Sequence, residues 1–435
     1  MTITSATMRG DRVPERRLSS AARAVAFAAL ACVSVPATSA GQTTSPILID
    51  RHMTVGAGAT VAAAVGELVA RGEDAVVPHR LFVGRGVPKR TGNVAYRLFK
   101  VVLFDLPQEN VLLVVNHEVF GHGARLRERF DASIDYQIDA PGPYGDGGGA
   151  TSFGLRVEPT TAEWLAVGAA GMEANGVAAG LIAHRAFVDR RMRPRDAMRY
   201  LAFELDTLDY VLGTGDGPEE VGHDVFGFLE DYNAAAIAAG ARELTARRLR
   251  RQVLVGLANP MLGFAIFGIG RYIWNGAIDV PVPTLDIAGV RYLPSMRYRL
   301  TPFGTEWTVI NELAGRIRPL QIELRVGRSP NATPFGVGVR REEVATLRQW
   351  RLDAVAELWR QPPIDGDSFE SITGAQRWGA QVRGRIERPL TRTRFGERPL
   401  TLIVDLAVKT QGFVAGEPIG AGFVGRAGIG IPWRR

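Results

Sequence analysis

The segment His117-Glu118-Val119-Phe120-Gly121-His122 sets two imidazoles and a carboxylate within reach of a single cation. Imidazole nitrogens offer lone pairs to a borderline metal such as zinc, and a neighbouring carboxylate can take a proton from a polarised water. The familiar helical form of this chemistry spaces its histidines at i and i+4, roughly 40° apart around the axis. Here the spacing is i and i+5, about 140° apart on an ideal helix and too wide for one ion. A π-bulge returns the two positions to one face, and such bulges cluster at functional sites. Gly121, directly before the second histidine, tolerates that distortion best. The motif therefore carries a geometric condition. The competing reading has the three groups merely hydrogen-bonded inside a core.

HEVFGH, with Gly123 after it, resembles the HExxxH motif of the dipeptidyl peptidase III type of zinc peptidases, over these seven residues. The resemblance implies His117 and His122 as zinc ligands, Glu118 as the base, and a peptide or protein substrate. It also implies a third ligand, a glutamate on a later helix. Glu173 in Gly171-Met172-Glu173-Ala174-Asn175 lies on a later, small-residue helix at a distance from the motif similar to that in the family. A carboxylate on an otherwise apolar helix needs a partner in any case, and a cation would serve. His184 competes for the role, although it reads better as a surface or capping histidine. Asn175 could orient a ligand or substrate. For the donor that must meet an oxyanion, His223 and Tyr232 are candidates, as are Tyr144 and Arg125.

Around the motif, residues 93–129 read as strongly apolar helix interrupted at Asp105-Leu106-Pro107, where the residues before the proline should leave the helical region. Ala140–Ala150 is a Gly- and Pro-rich loop that connects or covers the site. Residues 161–190 form one long helix full of Gly and Ala, which permits close helix approach. Further helices are expected over 193–213 and 234–251. Residues 252–270 carry no formal charge and are long enough to span a bilayer, but Asn259-Pro260 breaks their middle.

After about residue 283 the period changes to two. Leu320, Ile322, Leu324 and Val326 alternate with Gln321, Glu323 and Arg325, and similar faces recur at 378–387 and 400–408. Further strands are expected near 296–301, 307–314, 335–340, 350–359 and 421–431. The predicted class is α+β, with a helical metal-site domain over 45–280 and an antiparallel β-domain over 283–435. Two architectures fit the second part. A soluble sandwich buries the apolar face, whereas an outer-membrane-type β-barrel turns it to lipid. The ending Trp433-Arg434-Arg435 differs from the aromatic terminus common in barrels.

The first 40 residues read as a signal peptide, with Arg9, Arg12, Arg16 and Arg17, an apolar stretch from Ala24 to Pro36, and a Thr38-Ser39-Ala40 cleavage site. The only cysteine, Cys32, lies in this leader, so cleavage would leave no disulfide and no thiolate ligand. The formal charge of +7 owes much to the leader, and the remaining arginines are scattered, so no nucleic-acid binding is expected. Together these features predict an exported zinc hydrolase, a peptidase by resemblance, associated with a membrane in the periplasm or outer membrane. The alternative is an outer-membrane pore or scaffold whose His/Glu cluster is not catalytic.

Overall fold

A computed structural model describes residues 44–432 apart from 85, 131, 216–222, 365–369, 396 and 397. The expected leader over 1–40 and the terminal Trp433-Arg434-Arg435 lie outside the described residues. Helix and strand both contribute heavily, and the α+β class holds.

The segment from His117 to His122 sits inside one continuous helical rod. Helix α1 (Val55–Val76) precedes it, and the rod itself comprises α2 (Val87–Lys100), α3 (Leu106–His117) and α4 (Gly123–Arg129). Two π-turns, Val101–Asp105 and Glu118–His122, join its three parts. The expected break before Pro107 does not occur, because Asp105 and Leu106 keep right-handed helical angles. The first π-turn absorbs the proline: the Leu106 N–H reaches back to the Val101 carbonyl, one residue further than in an α-helix. Buried Asp105 pins that turn, accepting from Lys100 Nζ and Arg195 Nη1, each at 2.7 Å.

Helix α5 (Thr161–Asp189) is the central post. A capping box starts it, in which the Glu163 N–H donates to Thr160 Oγ1 at 3.3 Å and the Thr160 N–H donates to Glu163 Oε2 at 2.9 Å. Arg190 ends it in the left-handed conformation. Leu165, Ala169 and Met172 join a core with Phe228 and Tyr232 of α7 (Asp224–Ala238). Ile182 and Phe187 pack with Tyr200 and Phe203 of α6 (Pro194–Gly213), and with Phe264 of α9 (Pro260–Asn275). The helix expected over 234–251 is two: α7 ends at Ala238, and α8 (Ala246–Val253) starts anew beyond Gly240, whose φ of 64° breaks the rod.

The small residues of α5 let the rod approach very closely. A methyl group at Gly121 would lie 2.6 Å from Gly171 Cα, and one at Gly171 would lie 2.1 Å from His117 Nε2. Both distances are below any tolerable contact, so the second π-turn and α5 are fitted to each other through two missing side chains.

Among the described residues fourteen strands form three sheets. Strands β2 (Ser133–Ile138) and β3 (Gly149–Gly154) make a hairpin through the loop expected over 140–150, and β4 (Arg191–Met192) pairs with β5 (Val280–Pro281). The large sheet begins with β1 (Thr44–Ile49) and continues after the helices. Its later members are β6 (Leu285–Ile287), β7 (Val290–Thr301), β8 (Gly304–Gly315), β9 (Leu320–Arg328) and β10 (Phe335–Leu347). Strands β11 (Trp350–Gln361), β12 (Arg377–Phe395), β13 (Arg398–Lys409) and β14 (Gly422–Pro432) complete it. The order is β6 to β14 in sequence and then β1, ten antiparallel strands in all. Because β1 pairs with β14, the sheet reaches across the boundary near residue 283.

Among the described residues this sheet is not closed into a barrel, which corrects that expectation. Its edge strands β1 and β6 do not pair with each other. Helix α1 packs on β1, while α5 and the short 3₁₀ turn Leu254–Ala258 pack on β7, so helices stand in the seam. The sandwich expectation is also corrected, since among the described residues no second sheet covers the apolar face and residues such as Leu324, Val382 and Leu406 are exposed. The charged face is the inner one. Along one row of the register Asp353, Arg385, Asp405 and Arg426 sit on successive strands, alternating in sign. Alternation lets each buried charge find opposite neighbours, as in Arg385–Asp405 at 3.1 Å and Arg325–Glu357 at 2.9 Å.

A Gly121→Ala substitution should lower the unfolding free energy by about 1–3 kcal/mol, because neither backbone at the crossing can yield. Chemical denaturation with an unchanged m-value checks this; wild-type stability would mean that the close approach is not a constraint.

Candidate metal centre

The π-turn Glu118–His122 meets the geometric condition read from the motif, and His117 and His122 face one another with ring centroids 5.0 Å apart. Both are buried. His122 Nδ1 donates to the Val167 carbonyl at 2.8 Å, a contact in which only the nitrogen can carry the proton. His117 Nδ1 faces Asp206 Oδ2 at 3.1 Å. Each ring therefore has its Nδ1 anchored by the protein, and each turns its Nε2 inward.

The two Nε2 atoms converge on a single oxygen, Asp224 Oδ2, at 2.9 Å from His117 and 3.1 Å from His122. His117, His122 and Asp224 each contribute one ligand atom to a set lying within 4.8 Å of one another. In tetrahedral zinc, bonds of about 2.0–2.1 Å put ligand atoms roughly 3.3 Å apart, so this spacing fits one ion. Helix α7 supplies Asp224 as its first residue, where the positive end of the helix also favours a carboxylate.

A hydrogen-bonded relay stands behind His117. Asn116 Nδ2 donates to Asn175 Oδ1 at 2.8 Å, and Asn175 Nδ2 donates to Asp206 Oδ2 at 2.9 Å, the oxygen that also meets His117. All three are buried. Asn175 thus orients the group that orients a ligand, which is how outer-shell partners fix an imidazole's tautomer and direction.

Electrostatics favour a cation. Burial opposes charge on His117, but Asp206 and Asp224 outweigh it and hold its pKa well above the ordinary value. Burial likewise opposes charge on His122, and Asp224 again outweighs it. Burial alone would raise the Asp224 pKa; the two imidazoles reverse this and hold it below the usual carboxylate range. Glu118 is buried and accepts from Thr151 Oγ1 of β3 at 2.6 Å. Its charge raises the pKa of both His122 and Tyr210.

Tyr210 stacks on His117 with centroids 4.8 Å apart and planes inclined by 16°. Burial, followed by Asp224, Asp206 and Glu118, pushes its hydroxyl pKa up, so the phenol remains a donor. His223 lies beside it, ring centroids 5.5 Å apart, with its buried Nδ1 lacking a hydrogen-bond partner among the described residues.

Several expected roles move. Glu173 does not meet the histidines. It is locked to Arg125, whose Nη2 and Nε donate to it at 2.5 and 3.2 Å, and it accepts from the Gly416 N–H at 2.8 Å. The partner that a carboxylate on α5 required is thus a guanidinium, and the carboxylate that meets the two imidazoles is Asp224. Arg125 is accordingly not an oxyanion donor. Tyr232 is buried in the α7 core against Phe228, away from the cluster, and Tyr144 donates to the Leu103 carbonyl at 2.5 Å. His184 is neither a ligand nor on the surface: it is buried between Glu312 and Glu342, 2.9 Å from each. Asp206, Tyr210 and Asp224 were missed. Asp224 lies 102 residues beyond His122, and the only local signal was an acid opening a helix directly after His223.

No protein-family model, curated protein or solved structure matches this chain. The site must be interpreted from its own geometry.

Asp224→Asn should abolish stoichiometric zinc or cobalt uptake, read by metal analysis of the folded protein. Glu173→Gln should retain the metal and lower stability by about 3 kcal/mol, since it unbalances a buried pair. The opposite pattern would return the third position to Glu173.

Proposed function

We propose that this chain is a divalent-metal-dependent hydrolase, with zinc the best-matched ion, held by His117, His122 and Asp224. The observation that carries the reading is the convergence of two anchored imidazoles on one carboxylate oxygen. Two neutral His and one carboxylate are a ligand set that leaves a position for water or substrate. A cation bound there supplies Lewis acidity and brings the pKa of a water towards neutrality.

The residues then divide the work. Glu118, its Oε2 fixed by Thr151, is placed to accept a proton and return it to a leaving group. Tyr210 keeps its proton in this acidic surrounding and offers it to developing negative charge. Asp206 and Val167 hold the two rings, so the ligands need not reorganise during the reaction. Peptide bonds are the first substrate class to test, on the strength of the seven-residue resemblance.

Glu118→Gln should keep the metal and lower hydrolysis of a peptide library by about 10²–10⁴-fold, while His122→Ala should lose both. Stoichiometric metal with no turnover on any substrate would favour the scaffold reading. No stoichiometric metal in folded wild-type protein would sink the enzyme.

Tyr210→Phe removes the hydroxyl and leaves the stacking. The expected result is about a 10²-fold fall in kcat with KM and metal content little changed. A change confined to KM would reassign Tyr210 to substrate binding.

A further inference from the structure

The large sheet is inside out by the standard of a water-soluble sheet. Its charged residues face the helices and line an internal cavity of about 650 Å³, where Arg340, Arg383, Asp353 and Glu387 meet. Its outer face presents Leu324, Val337, Val382, Leu402, Leu406 and Ile429, all exposed. A soluble sheet that exposes one face puts its apolar residues inward. Buried charge and exposed aliphatic residues on the same strands require an outer medium less polar than the interior.

Exposed aromatic residues stand at both rims of this face. Phe335, Trp378 and Phe423 lie within the first two residues of β10, β12 and β14, which start from one rim. Trp350 opens β11, which runs back from the opposite rim, and the Arg388 guanidinium sits 5.0 Å from the centre of its ring. Strands β9, β11, β13 and β14 have 9, 12, 12 and 11 residues, enough to cross a hydrocarbon layer at the usual tilt.

The seam between β1 and β6 extends the same surface. Residues Ala246–Ala258 and Pro260–Asn275 form a pair bent by 63° that is together apolar enough for a membrane segment. The pair exposes Leu254, Leu257, Ile266, Phe267 and Trp274. Arg90 sits 4.7 Å from the Trp274 ring, and Arg271 lies 5.8 Å from that of Phe267.

From the polarity of the two faces, the aromatic rims and the apolar seam, we propose that the occupant of this surface is the hydrocarbon of a lipid bilayer. The open sheet spans it, and the bent helical pair lies against it where strands are missing. Aliphatic residues meet acyl chains, while ringed residues at both rims meet the headgroup level. The metal centre then stands at one rim. Glu173 and Arg125 bond to Gly416 and Glu417 in the loop from β13 to β14, and α4 continues directly from His122. The proposal does not depend on the hydrolase reading.

The full chain, purified in detergent, is reconstituted with phosphatidylcholine–phosphatidylethanolamine vesicles, floated on a gradient and washed with alkaline carbonate. Wild type should stay with the vesicles, and Leu406→Arg should lower the retained fraction roughly tenfold. Because that variant can fail for want of folding, a spin label supplies a second measurement. It is placed through Leu406→Cys or Val382→Cys in a Cys32→Ser background. Both labels should be open to oxygen and closed to a water-soluble nickel complex, whereas a Tyr144→Cys label should be open to nickel. A wild-type chain that stays in the aqueous fraction without detergent overturns the proposal. Dipolar broadening between Leu406→Cys labels on two copies, with no oxygen exposure, overturns it in favour of a self-association surface.

Discussion

Where the helical rod crosses α5, each helix takes up space that a methyl group on the other would need. Gly121 and Gly171 supply the gap, and the widened turn Glu118–His122 fits into it. The widening brings two histidines five residues apart onto one side, and the proximity lets Val167 and Asn175, both on α5, reach the ligands and their supports. Geometry and hydrogen bonding are therefore one constraint. A helix that kept 3.6 residues per turn here would send one imidazole elsewhere, and no outer-shell partner could recover it.

Charge distribution follows from the same crossing. Asp206, Asp224 and Glu118 gather around two imidazoles in a buried space, an acidic surplus that a divalent ion would offset. Elsewhere the interior is balanced internally. Arg125 pairs with Glu173 and Glu128, Arg195 with Glu109, and Arg426 with Glu417. The candidate metal centre differs in that two imidazoles share one carboxylate oxygen, whereas the single ring of His184 lies between Glu312 and Glu342.

Much of this was legible in the residues. The i, i+5 spacing together with Gly121 made a π-turn the condition for a shared ion, and the chain forms that turn. Alternation after residue 283 located the strands, because side chains on a strand must take opposite faces. What alternation could not tell was which face turns inward; that depended on helices lying far away in sequence. The third member of the candidate ligand set was hidden for a similar reason. Asp224 reaches the site through tertiary packing of α7 on α5, and no spacing rule spans that distance. Glu173 was recognised as a buried carboxylate needing a partner, but Arg125, a residue of the opposite charge on the neighbouring rod, satisfied it. Pro107 misled because a widened turn can accommodate a proline that an α-helix rejects.

The pairing of β1 with β14 has a consequence for how the chain comes into being. Asp50 and Arg426, 376 residues apart, meet at 3.1 Å beside that pairing. During synthesis the helical portion emerges long before β14, so the initial strand must wait, unpaired, for nearly the whole chain to appear. Assembly is thereby weighted towards very distant contacts, which slow folding and leave strand edges open to wrong partners. Loss of β14 would leave two edges unpaired at once, on β1 and on β13, so this strand acts as a late lock on the sheet.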